Sequence, residues 1–150
     1  MDRNLEWGNA NLKLSSAGPV FSKYRWVVVF NMFQTQMECL ALYTNDGKGM
    51  TRTSAKELNE WVAVVDKPGV DSTGEDKDGP LAVVLCGTEK VKEEAHLHIT
   101  ESVMVKYTEN TRLRGRMTWD SFGRLHERRV ALNKAARKKA FEEDCRQRGR

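Results

Sequence analysis

The chain has 150 residues, 39% hydrophobic and 31% charged, and its 25 Lys and Arg against 21 Asp and Glu leave a net charge of +4. That length suits one domain in the usual range of roughly 100 to 200 residues, enough to bury a core without disulfide staples. An ordinary apolar share and a slightly high charged share exclude a disordered tail, and no apolar run approaches the roughly 20 residues of a spanning helix.

Charge is unevenly placed: residues 124–150 hold ten basic against four acidic side chains, so the rest of the chain is slightly acidic. The start, MDRNLEWGNANLKL, lacks the basic-then-apolar layout of a secretory signal. A soluble intracellular protein, cytoplasmic or nuclear, with no membrane partner is expected. Cys39, Cys86 and Cys145 are an odd set without the close spacing of a metal knuckle or redox pair. Cys39 and Cys86 fall in apolar strand-like runs, where cysteine acts as a small buried hydrophobe.

In chain order, residues 1–17 are polar and asparagine-rich and read as an N-terminal arm, either a loose leader or a segment ordered by docking through Leu5, Trp7, Leu12 and Leu14. Gly18-Pro19 punctuates the chain and Val20-Phe21 opens the core domain, 18–123. Tyr24 to Met50 predicts a hairpin: Val27 to Phe30 go up, Gln34, Thr35 and Gln36 turn, Cys39 to Thr44 return, and Asn45 to Gly49 close with a glycine turn. The unbroken valines suggest a strand covered on both faces or bent through a barrel wall.

Thr53 or Ser54 with Glu57 makes a capping-box pattern that predicts a short helix over Ala55 to Glu60. WVAVV at Trp61 to Val65 reads as a strand, and Lys67 to Pro80 as a long exposed loop. Leu81 to Cys86 is a buried strand ended by Gly87, and Thr88 to Ala95 is a charged turn or loop. His96 to Thr100 and Val103 to Tyr107 alternate as two half-exposed strands, and Gly115 marks a bulge or bend within Thr111 to Trp119. From Arg124 the period turns helical as far as Gly149, with Leu125, Leu132, Ala136 and Ala140 on one narrow face and Phe141 beside it. The expected fold is α+β and β-rich: a mostly antiparallel sheet or small barrel of five to seven strands, a short connecting helix, and a long basic C-terminal helix over 124–150.

Few residues carry chemistry. His96 and His98 would share one face of a strand, but a third metal ligand is missing, and two solvent-facing histidines on an edge strand is the plainer reading. Asp71, Glu75, Asp76 and Asp78 lie in the long loop without calcium-loop spacing, and Asp46 to Gly49 lacks a full phosphate-loop pattern. No serine sits in a nucleophile elbow. No catalytic residue, metal or cofactor is therefore assigned. A site at the barrel rim near the long loop, using His96 or His98 with a carboxylate, stands as the enzymatic alternative.

The basic residues point elsewhere. Arg112, Arg114 and Arg116 alternate as if along one strand, and Arg124, Arg128, Arg129, Lys134, Arg137, Lys138 and Lys139 continue positive charge down the final helix. Such a stripe can neutralise phosphates, with Tyr107, Trp119 or Phe122 offering stacking surfaces to unpaired bases. Glu142-Glu143-Asp144 interrupts it.

Four segments also resemble a domain-of-unknown-function family found widely in filamentous fungi. Gly18-Pro19-Val20-Phe21 is similar to its early G-x-V-F, and Tyr24-Arg25-Trp26-Val27-Val28-Val29 to its R-F-V-V-V strand. Glu38-Cys39-Leu40-Ala41-Leu42-Tyr43 with Thr44 to Gly49 resembles its C-x-C-L-P-I-x-T-Y-x-G-x-G segment, and Thr111 to Met117 its late S-R-I-x-x-G-K-V. The likeness covers Gly18 to Phe122 and departs at Ala41, where proline is usual, and at the Ser54 to Glu60 helix. It implies a compact β-rich domain and transfers no catalytic residue. The function expected is a non-catalytic binding or structural module within a larger assembly, with other protein subunits as partners in a homo- or hetero-oligomer. The alternative is an RNA- or DNA-binding protein using the basic stripe.

Overall fold

The computed structural model describes residues 12–15, 18–21, 25–44, 58–66, 79–88, 90–92 and 95–149. Among these residues eight strands and one long helix are formed: β1 (Leu12–Ser15), β2 (Gly18–Phe21), β3 (Val27–Met32), β4 (Gln36–Tyr43), β5 (Trp61–Asp66), β6 (Leu81–Leu85), β7 (His96–Lys106), β8 (Gly115–Met117) and α1 (Trp119–Arg148). Among the described residues β1 and β2 pair only with each other, as an antiparallel hairpin that spans the expected boundary between arm and core. The other six lie in the order β3-β4-β7-β5-β6-β8 and curl into a nearly closed mixed barrel. Every neighbouring pair is antiparallel except β5 with β6, which run parallel.

The register separates two faces. On β4, Leu40 and Leu42 face the core with Val28 of β3 and Leu97 of β7, whereas Met37, Cys39 and Ala41 point to the outer face. On β5 and β7, Val62, Val64, Leu97 and Ile99 join that core, with Leu81 and Val83 from β6 and Leu125 from α1. The valine run of β3 does not mean cover on both sides. Among the described residues β3 is an edge strand that alternates, with Val27 and Val29 exposed and Val28 and Phe30 turned to the core, before a bulge between Val29 and Asn31 shifts the register. The unbroken apolar run thus alternates between core and outer face, and the bulge flips the facing only of the residues after it.

Several expectations need correction. His96 to Thr100 and Val103 to Tyr107 are halves of the single eleven-residue strand β7, because the segment between them stays in the sheet as a bulge. Against β4, the single residue between Leu40 and Leu42 is matched by the four between Leu97 and Ser102. The short helix is a 3-10 turn at Leu58–Glu60, and the remainder of Ala55 to Glu60 lies outside the described residues. So do the glycine turn at Asn45 to Gly49, the acidic residues Asp71 to Asp78, and Leu5 and Trp7. Cys86 is exposed rather than buried, because β6 ends one residue earlier, and Gly87 follows with a φ of 79° that suits glycine alone.

Helix α1 starts five residues before the expected Arg124. Thr118 caps it: its side-chain oxygen accepts from the Ser121 N–H at 3.3 Å. Both backbone groups of Ala82 in β6 then close on this first turn. The Ala82 N–H donates to the buried Ser121 hydroxyl oxygen at 2.8 Å, and its carbonyl accepts from the Thr118 N–H at 3.0 Å. Gly115 brings β8 against β6, since a Cβ there would press on the Val84 carbonyl oxygen and stand 2.8 Å from the Leu85 Cα.

Candidate nucleic-acid interface

The ten basic residues of the stripe fall into three groups. Arg112 and Arg114 lie in the irregular segment before β8 and only Arg116 lies within it, so they do not form a row along one strand. The Arg114 carbonyl accepts from the Cys86 N–H at 2.7 Å, which anchors that segment to the end of β6.

Arg124, Arg128 and Arg129 are tie-rods between α1 and the barrel. Arg124 donates to the Gly79 and Pro80 carbonyls, both at 3.1 Å, and pairs with Asp120 at 3.2 Å. Arg128 donates to the Asn59 carbonyl at 2.9 Å and the Trp61 carbonyl at 3.1 Å. Arg129 donates to the Ile99 carbonyl and to a Glu38 carboxylate oxygen, both at 2.7 Å, while its guanidinium lies 5.2 Å from the Phe30 ring centroid. These contacts have a common cause. The Ile99 carbonyl sits inside the β7 bulge and the others lie just before or at the start of β5 and β6, where the ladder supplies few partners.

Glu38 completes this anchorage. Asn31 donates to its other carboxylate oxygen at 2.7 Å, and that bond, with help from Ser102 and Arg129, holds its pKa below the ordinary value of 4.5 against the opposing effect of burial. Beside it on the outer face, burial and then the Glu38 charge push the Cys39 thiol pKa up. Neither residue was singled out from sequence with this role. Glu38 sits among apolar neighbours with no signal that a helix 91 residues later supplies its cation.

Lys134, Arg137, Lys138 and Lys139 form the third group. Every described residue of α1 from Asn133 onward is exposed, so the expected apolar face ends at Leu132, and Ala136, Ala140 and Phe141 stand in solvent. At 1.5 Å per residue this free portion projects about 24 Å. Six basic and three acidic residues lie on it, and intrahelical pairs such as Lys138 with Glu142, Arg146 with Glu143 and Arg148 with Asp144 run along its far end. Of the aromatic residues, Trp119 is 88% exposed, Tyr107 donates its hydroxyl to the Phe33 carbonyl at 2.8 Å, and Phe122 packs beside Phe30. The structure thus does not bring the ten basic residues and three aromatics onto one continuous surface.

The histidines lie on an interior strand, not an edge. The register sets both on the outer face of β7, between β4 and β5. His98 lies against Trp61, with ring centroids 4.3 Å apart and planes tilted by 59°. Its Nε2 is 3.7 Å from Glu60 and its Nδ1 3.4 Å from Glu101. Thr100 donates to the same Glu60 oxygen at 2.7 Å. The two carboxylates flank opposite nitrogens of the ring, so they do not converge on one point. Among the described residues no group of three or more His, Cys, Asp or Glu is placed to hold a metal ion, and no helix is long and apolar enough to cross a membrane. No protein-family model, curated protein or solved structure matches the chain.

Proposed function

We propose that the protein is a non-catalytic binding module of a larger assembly, in which the barrel is a mount and the projecting half of α1 is the contact element. The observation that carries this reading is the contrast within one helix. Its first half is fixed by Ser121, Leu125 and three arginine tie-rods, while its second half, from Asn133, buries nothing. A helix of about 16 residues is marginal in water without tertiary packing, so its retention beyond the body is accounted for by a partner that packs on it.

The charge on that half favours one second reading, a nucleic-acid partner. Lys134, Arg137, Lys138 and Lys139 fall within two turns, and their side chains are available to phosphates in a way that those of Arg124, Arg128 and Arg129 are not. The test uses two variants. A chain ending at Asn133 is expected to retain the melting temperature of the full chain within about 3 °C, because no buried apolar group is removed; a fall of about 10 °C would make the helix part of the fold and sink the reading. In the full chain, changing Lys134, Arg137, Lys138 and Lys139 to glutamine should abolish binding to duplex or single-stranded oligonucleotides and its salt dependence. Binding that survives with the same salt slope would reject the nucleic-acid reading.

A further inference from the structure

The projecting half of α1 carries its charge in blocks. Lys134, Arg137, Lys138 and Lys139 come first, Glu142, Glu143 and Asp144 follow, and Ala140 and Phe141 stand between them. The core-facing stripe of the helix also continues past the barrel. Ala136 and Ala140 lie one and two turns beyond Leu132 on the same face, where both are exposed and too small to hold another helix away. At 3.6 residues per turn, Arg137 and Asp144 fall on one flank of this alanine stripe, and Lys139 and Glu143 on the other. Each flank therefore reads cation, then anion, along the chain. Among the described residues Arg137 and Lys139 hold no ion pair, while Glu143 and Asp144 are met only from within the helix, by Arg146 and Arg148, both at 3.0 Å.

This order selects the partner. An acidic peptide or a nucleic-acid strand would gain from the four cations and then meet three carboxylates within the next turn, where like charges repel. A parallel copy of the helix would set cation against cation. A copy turned end over end sets Arg137 against the other chain's Asp144 and Lys139 against its Glu143, and the two-fold axis repeats both pairs. Toward the ends Arg148 comes opposite Asn133 and Arg146 opposite Ala135, so neither flank brings like charges together. At the centre lie Ala140 and Phe141, the latter 68% exposed in the single chain.

From this pattern we infer that the projecting half of α1 pairs antiparallel with the same half of a second copy, about a two-fold axis between Ala140 and Phe141. The inference rests on the reading of that half as the contact element and names its partner. Two arms of about 24 Å meeting along a narrow stripe make a small interface, and exposed ion pairs contribute little each. A dissociation constant of about 100 µM is expected, so below about 10 µM the chain is a monomer with an unpaired arm.

Sedimentation velocity from about 5 to 500 µM reads this directly. The full chain should pass from monomer to dimer, added salt should weaken the dimer, and the chain ending at Asn133 should stay monomeric. Two charge reversals carry the test further. Arg137→Glu with Lys139→Glu makes both flanks acidic, Glu143→Lys with Asp144→Lys makes both basic, and each variant alone should stay monomeric. Mixed in equal amounts they should form a heterodimer at least as tight as the wild-type pair, which also shows that neither variant is misfolded. A wild-type chain still monomeric at the highest concentration would overturn the inference. So would a dimer that survives the truncation or either reversal, or a mixture that does not associate. Each of these results leaves the contact-element reading standing for another partner; that reading fails instead if removing residues 134–150 lowers the melting temperature by about 10 °C.

Discussion

Replacing Arg129 with methionine keeps the length of the side chain and removes its charge, which isolates what the guanidinium does. Arg129 and Glu38 are 12% and 14% exposed at their side chains, so solvent screens their contact at 2.7 Å poorly. Removing one partner of a fully buried pair typically costs about 3–5 kcal/mol, and this pair is part-buried, which places the loss at the lower figure of about 3 kcal/mol. The substitution also strips the Ile99 carbonyl of its donor inside the β7 bulge. Against a total stability of about 5–15 kcal/mol this is a large loss. With a urea slope near 2 kcal/mol/M, the midpoint should fall by roughly 2 M. Adding Glu38→Gln removes the stranded charge, so the double variant should be more stable than Arg129→Met alone, with a coupling energy of about 1–3 kcal/mol in the cycle. Urea unfolding followed by circular dichroism measures all four proteins. A loss under about 1 kcal/mol, the size of an exposed ion pair, would refute the tie-rod account.

The same contacts set other expectations. Because Glu38 has its pKa lowered in the folded state, chiefly by the Asn31 hydrogen bond, its stabilisation is present above the ordinary carboxylate value of 4.5 and is lost as pH falls through the lower folded value. Glu38→Gln should flatten acid unfolding in that window, and an unchanged acid limb would count against it. Ser121→Ala strands the buried Ala82 N–H and should cost about 1–3 kcal/mol by the same urea assay, whereas a neutral result would mean that bond is unimportant. Gly115→Ala forces a methyl into the β6 backbone and should destabilise by about 1–3 kcal/mol or more, while Gly123→Ala, with open space around it, should not. With an aromatic disulfide reagent, Cys86 and Cys145 should react rapidly and the buried Cys39 only slowly, its thiol pKa being raised by burial. Three equally fast thiols would contradict that placement.

What the sequence made legible was set by local physics. β5, β6 and the β3-β4 hairpin are runs of β-branched and apolar residues with polar breaks, and such runs announce themselves within a short window. The β7 bulge was invisible because Thr100-Glu101-Ser102 looks like a polar break in sequence and becomes continuous strand only when β4 and β5 pair with either side. The same limit hid the division of the arginines. Arg124, Arg128 and Arg129 resemble Lys134, Lys138 and Lys139 in charge and in their i, i+4, i+5 spacing, and what separates them is which carbonyls at the starts of β5 and β6 and within β7 lie beneath the helix. Pairing of His98 with Glu60 likewise depends on β5 lying beside β7.

Helix α1 passes near Leu132 from a packed to a fully exposed portion, and on that change the proposed function rests. Native-state hydrogen exchange on the isolated full chain tests it most directly, because exchange reports local opening along the helix. Amides from Ser121 to Leu132 should exchange only with global unfolding, and those from Lys134 to Arg148 at least about a hundredfold faster, as the unsupported turns open by themselves. Uniform protection from Ser121 to Arg148 in the isolated chain would contradict the account.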